Sequence, residues 1–307
     1  MNFKQECSEF YDANYRASVR ARFGRHGRQV VWGNPSNTTC RFCKKSKPEV
    51  SFDSIAHAIP ESIGNRHIVT TFECDSCNQT FGDEIEHHFG LWSNYERVIG
   101  RVPGKRGIPK LDRYDWHIRN TDEGVTEFGV SDELKVERDE SEGRITITAT
   151  SAPYVPIAVL KAFHKMALSL MQEHHANRFD RLCSWILNRD HKQLSARICT
   201  TVIFTTIQGV SIEPGEAYVY NRSTADQTLP FITFLVGFGF NFYQIFLLED
   251  SQSHLPSFEV SPFPIRDSRL APSYPKTFDL SGTAPVIGGS QSASFIYDPA
   301  TFVEGTQ

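Results

Sequence analysis

The sequence predicts an α+β fold: a small cysteine-clasped finger, then a separate α+β domain with a buried helix and antiparallel strands. Two C-x2-C pairs, Cys40/Cys43 and Cys74/Cys77, enclose thirty residues and define the finger. One run, Ile157–His174, is apolar around most of its circumference. After it come short runs of β-branched and aromatic residues bounded by Gly and Pro. The 307 residues are 39% hydrophobic and 12% aromatic, enough for a real core and unlike a disordered, collagenous or coiled-coil chain. The net charge of −4 confines any contact with a polyanion to local basic patches.

Residues 1–38 read as a basic N-terminal arm. Between Ala13 and Pro48 there are nine Lys or Arg and no Asp or Glu. Arg16, Arg20, Arg22, Arg25 and Arg28 belong to this block. MNFKQECSEF has no basic stretch followed by an apolar one, so no secretory leader is expected and the protein is expected to be cytoplasmic.

Residues 39–96 form the finger. Four cysteines in two knuckles suit tetrahedral Zn²⁺. With all four positions filled by thiolates, the metal is structural and supplies folding free energy that so small a core lacks. The other cysteines, Cys7, Cys183 and Cys199, are isolated, which argues against a disulfide framework. Acids dominate from Glu49 to Glu96, where Arg66 is the only Lys or Arg. After Cys77, Asn78 opens a stretch with Phe81, Ile85 and Phe89 at helical spacing.

Residues 97–120 read as a basic linker, with Arg101, Lys105, Arg106 and Lys110 among three Gly and two Pro in Arg97–Leu111. Residues 121–250 form the α+β domain. Two strands are expected over Thr121–Glu142 with a turn near Glu140–Gly143, then a strand at Arg144–Thr150. In the helix Ile157–His174, Lys161, His164 and Lys165 make a polar stripe. A second helix covers Asn177–Leu187, and His174 and His175 are a solvated helix end. Strands follow at Cys199–Ile207, Ala217–Tyr220, Phe231–Val236 and Phe240–Leu248. Leu229–Leu248 is long enough to span a bilayer, but Gly237, Gly239, Asn241 and Gln244 make it two buried strands instead. Residues 251–307 are Ser- and Pro-rich and are expected to be irregular.

The window CRFCKKSKPEVSFDSIAHAIPESIGNRHIVTTFECDSCNQTFGDEIEHHF, Cys40 to Phe89, resembles the HNH endonucleases, the ββα-metal or His-Me finger nucleases, in their zinc-bearing form. Cys40, Cys43, His57, Ile59, Pro60, Gly64, Asn65, Cys74, Cys77 and Asn78 carry the resemblance, which covers about a sixth of the chain. It implies a metal-dependent endonuclease that hydrolyses DNA phosphodiester bonds, in a prokaryotic branch partly encoded among anti-phage or restriction genes. It implies His57 as general base, Asn78 as ligand of a catalytic Mg²⁺ or Mn²⁺, and Asn65 as an orienting residue, with His67 a second candidate for that support. Arg16, Arg20, Arg22, Arg25, Arg28, Arg101, Lys105, Arg106 and Lys110 would grip backbone phosphates. His87 and His88 lie ~14 Å beyond Asn78 along a straight helix and read as solvated or phosphate-contacting.

One position departs from the family. The residue before the base is usually a metal-binding carboxylate, and here it is Ala56. Three explanations stand: Asp53, Glu61 or Glu73 substitutes; the metal leans on Asn78, water and phosphate; or the module binds nucleic acid without cutting it. An RNA-directed nuclease toxin is the weaker alternative. The C-terminal domain is left with oligomerisation, substrate presentation or activation, and a homo-oligomer is compatible with that.

Overall fold

The computed structural model describes residues 3–36, 38–112, 117–120, 126–129, 134–192, 198–207, 211–252, 260–264, 275–287 and 289–296. The chain opens with helix α1 (Phe3–Asn14), strand β1 (Tyr15–Phe23) and strand β2 (Val30–Trp32). In the finger follow β3 (Ala56–His57), β4 (Ile68–Thr70), α2 (Asp75–Phe81), a π-turn (Gly82–Glu86), α3 (His87–Trp92) and α4 (Asn94–Ile99). Next come β5 (Leu111–Asp112), β6 (His117–Asn120), β7 (Thr126–Gly129), β8 (Leu134–Asp139), β9 (Arg144–Thr150), α5 (Pro156–Leu170), α6 (Glu173–Ala176) and α7 (Asp180–Leu187). The last strands are β10 (Thr201–Thr206), β11 (Ile212–Arg222), β12 (Ile232–Gly239), β13 (Asn241–Leu247), β14 (Lys276–Asp279) and β15 (Ser290–Ile296).

A six-stranded antiparallel sheet, in the order β1-β11-β12-β13-β10-β14, forms the largest layer. Every residue of β12 is buried, as expected of a central strand covered on both faces. The apolar stretch once long enough for a membrane is the β12–β13 hairpin, with Phe238 opposite Asn241. Gly239 makes the turn at φ +58°, and a Cβ there would also strike the Glu96 side chain at 2.8 Å. Glu96 accepts hydrogen bonds from the Phe240 and Asn241 amides and so pins the turn. Among the described residues no helix is long and apolar enough to cross a membrane.

Both ends of the chain correct the sequence reading. The expected N-terminal arm supplies α1 and β2, and β1 pairs along its length with β11, from Tyr15–Arg222 to Phe23–Gly215. The expected irregular C-terminal segment supplies β14 beside β10 and β15 beside β9. Both are edge strands, and an edge strand with one solvated side needs no apolar alternation to form.

Helix α5 is the centre of the molecule. All fifteen of its residues are buried, including Lys161, His164 and Lys165. The polar stripe therefore does not face solvent. Lys161 donates to the Asn188 carbonyl at 2.6 Å, and the His164 ring lies against the Leu160 carbonyl at 2.9 Å. One hydrophobic core joins the finger to α5 and the large sheet: Phe89 meets the rings of Phe163 at 5.3 Å and Phe238 at 6.0 Å. Burying each such side chain is worth roughly 1.5–3 kcal/mol. At the far end of α5, Arg41 from the first knuckle donates to the carbonyls of Leu168 (2.6 Å) and Met171 (2.9 Å). A cation there satisfies orphan carbonyls and the negative end of the helix dipole.

Candidate active site

The four cysteine sulfurs lie within 4.8 Å of one another. Cys40 and Cys77 are 3.7 Å apart, as are Cys43 and Cys74. A tetrahedron of sulfurs ~2.3 Å from a zinc ion has edges of ~3.8 Å, so the spacing fits zinc. Local structure presents these groups. Lys44, at φ 62°, turns the first knuckle, and its amide bonds the Cys40 carbonyl at 3.0 Å. Cys74 caps α2, and Cys77 sits in its first turn. The pKa of the Cys40 thiol is lowered, chiefly by its contact with the Cys77 sulfur and also by amides of the two knuckles. Helix α2 thus begins at Asp75, three residues before the expected start at Asn78.

The helix start also fixes the approach to His57. The Asp75 carboxylate accepts from the Ser51 hydroxyl and from the amides of Asp53 and Ser54, which holds it down to about 2. The chain then enters β3, where His57 pairs with Val69 of β4. Asn65 is fully buried behind this pair. Its amide nitrogen donates to the carbonyls of Ile59 (2.7 Å) and Ile68 (2.9 Å), and its oxygen accepts from the amides of His67 and Ile68. All its capacity goes to bracing the loop between the strands. His67 turns the other way, toward the carbonyls of Gly24 and Arg22.

His57 and Asn78 open onto one cleft of about 1020 Å³, which Glu61, Glu86 and His87 also line. Among the described residues no hydrogen bond reaches the His57 ring or the Asn78 carboxamide. The His57 pKa is lowered, chiefly by burial; Glu61 and Glu86 pull it up, while Lys165 and Lys105 push it down. The imidazole is therefore neutral at pH 7 and free to accept a proton. Ala56, just before it, is buried and offers no ligand.

A second stretch of wall comes from the supposed linker. Gly104 and Gly107 exchange backbone hydrogen bonds at 2.9 and 3.1 Å, closing a tight turn with Lys105 and Arg106 at its tip. Arg66 anchors this turn through the carbonyls of Gly104 and Lys105, and Lys105 lies 4.0 Å from Glu61. Arg97 lines the cleft and is buried, donating to the carbonyls of Ser62 and Gly90. Burial lowers its pKa to about 10, so it stays charged.

Of the expected phosphate-gripping residues, only Lys105 and Arg106 line the cleft. Arg16, Arg20 and Arg22 are exposed on β1, where Arg22 is paired with Glu216 at 3.1 Å. Arg25 and Arg28 are exposed after that strand. Arg101 is half-buried, and Lys110 is paired with Asp112 at 3.1 Å. Of the substitute carboxylates, Glu61 faces the cleft and Asp53 is exposed elsewhere. Glu73 is buried 3.3 Å from Lys165, and burial raises it to about 7.

Sequence reasoning missed Glu86, Arg66 and Arg97. Glu86 was within reach, since Asn78, Gly82 and Glu86 recur every four residues along one helical face and all three border the cleft. His87, expected to be solvated or phosphate-contacting, also borders the cleft, just after the π-turn. His88 turns away and accepts the Val155 amide at 3.3 Å.

No curated protein and no solved structure matches the chain. A family model described as HNH endonuclease matches residues 40–91. That segment runs from the first knuckle into α3 and contains His57, Asn78, Glu86 and His87, so the similarity to HNH endonucleases covers the finger and the residues it brings to the cleft.

Proposed function

We propose that the protein is a divalent-metal-dependent endonuclease that hydrolyses DNA phosphodiester bonds in the cleft beside His57. The observation that carries this reading is the shared opening of a neutral imidazole and a carboxamide, both without hydrogen-bond partners among the described residues, onto one cleft whose walls carry cations beside Glu61 and Glu86. His57 takes the proton from the attacking water, the task for which a near-neutral base is suited. Asn78, through its side-chain oxygen, and the Glu86 carboxylate would hold Mg²⁺ or Mn²⁺, with Glu61 and His87 on the same walls; oxygen donors with room for water suit these hard cations. When bound, that ion relieves charge on the scissile phosphate and the leaving oxygen. Lys105, Arg106, Arg66 and Arg97 attract and align the phosphate backbone. Zn²⁺ in the four-cysteine clasp would hold the first knuckle, Cys40–Cys43, to the start of α2 and take no part in hydrolysis.

The absence of a carboxylate at Ala56 favours a second reading, a zinc module that binds nucleic acid without cutting it. Nicking of supercoiled plasmid with Mg²⁺, Mn²⁺ or Ni²⁺, for wild type and His57→Ala, separates the two. Cutting that stops in the variant supports the nuclease. Equal cutting removes His57 as base, and binding without cutting under every metal supports the second reading. Parallel single-stranded RNA and DNA substrates test the choice of nucleic acid.

A further inference from the structure

Lys165 belongs to α5, far outside the segment that matches the family. Its side chain is 1% exposed. The ammonium donates to the His57 backbone carbonyl at 2.6 Å and to Glu86 Oε1 at 3.2 Å, and it lies 3.3 Å from Glu73 Oε2. A buried ammonium is costly unless its protons find acceptors and its charge a counter-charge; here it makes two hydrogen bonds and has the Glu73 carboxylate at ion-pair distance. Two of the acceptors matter to the cleft. His57 stands on a strand of only two paired residues, which strand pairing alone holds weakly. Glu86 presents a side chain that is 26% exposed and lines the cleft, while Lys165 grips one of its oxygens from behind. Arg41 secures the other end of α5 to the knuckle that contributes Cys40 and Cys43.

We propose that Lys165 is a positioning residue of the endonuclease site: it ties the backbone of His57 to Glu86 and thereby fixes the base against the helix that shares the cleft. The inference rests on the endonuclease reading for its effect on rate, but not for its effect on the strand. Helix α5 is then the floor of the site, and the domain defined by the family match is incomplete without it.

The test compares wild type with Lys165→Met in the full-length, zinc-loaded protein. On plasmid DNA with Mn²⁺, the variant loses roughly 10–100-fold in kcat, as expected when a supporting contact is removed. KM stays within about two-fold, because substrate binding is not what Lys165 serves. Hydrogen exchange in the peptide covering residues 52–60 accelerates by ~10-fold or more, while the segment 74–81 and the zinc content are unchanged. If the single variant fails to fold, Lys165→Met with Glu73→Gln removes both buried charges and is measured in its place. A folded variant with wild-type exchange over 52–60 overturns the proposal whatever its rate, and so does a wild-type kcat. Wild-type protein that cuts nothing under any metal defeats the endonuclease reading instead, and the exchange comparison still decides whether Lys165 holds the strand.

Discussion

The rear and the front of the finger are built from the same fifty residues with opposite logic. At the rear, four thiols crowd within 4.8 Å, three of them buried, and every one is committed to a closed set. At the front, His57 and Asn78 are half-buried, without partners among the described residues, and open to a cleft. The rear has used its polar capacity to make structure. The front keeps its capacity for a substrate, and neighbours behind it hold it in place: Asn65 on the loop, Asp75 on the entering chain, Lys165 from α5. The contrast shows that a small domain can leave its chemistry unsatisfied only where something else fixes the backbone.

The largest expected effect breaks the rear. Cys40→Ser or Cys77→Ser removes a ligand from a site whose metal contributes on the order of 10 kcal/mol or more of folding free energy. Elemental analysis should fall from about one zinc per chain to almost none, with insoluble protein or a lost cooperative unfolding transition; soluble, folded, zinc-free protein would refute the clasp.

His57→Ala breaks the front alone. Removing a general base should lower the nicking rate roughly 10²–10⁴-fold. Zinc content and melting temperature should match wild type, which is the sharpest statement of the rear–front division. A matching loss of stability would show that the two are not separable.

The pH profile sharpens the same point. Only neutral imidazole accepts a proton, and burial holds the His57 pKa below its ordinary 6.5. Activity should therefore fall as pH is lowered through a value under 6.5 and be level at pH 7. An acid limb centred above 7 in single-turnover cutting would contradict the neutral base.

The smallest effect belongs to the cleft's cationic turn. Lys105→Ala and Arg106→Ala should each weaken DNA binding modestly and reduce the slope of log affinity against log salt by about one. Fluorescence anisotropy on duplexes of unrelated sequence should show the same loss for each, because phosphate contacts carry no base information. Arg20→Ala, on a face away from the cleft, should leave the slope unchanged.

The two halves of this comparison were not equally legible in the sequence. Cys40, Cys43, His57, Cys74, Cys77 and Asn78 are held in order by short spacings, so they were readable as a set. The core face Phe81, Ile85 and Phe89 followed from helical periodicity, and all three are buried. The hairpin within Leu229–Leu248 followed from its glycines. Lys165 was readable only as one member of a polar stripe on a buried helix, with nothing to say which groups it meets. Burial of a lysine is decided by carboxylates far away in sequence, and Glu73 and Glu86 precede it by scores of residues. Arg66 and Arg97 were hidden for the same reason.

The sequence by itself determined the clasp, the order of strand, loop and helix across the finger, and the residues on which the family resemblance rests, because these depend on residue type and local spacing. Tertiary packing alone decided that the supposed linker walls the cleft, that the first basic block is a strand of the main sheet, and that α5 lies beneath His57. The physical reason is range. A knuckle or a helical face is set within a few residues, whereas a buried charge acquires its partners only when distant segments close into one core.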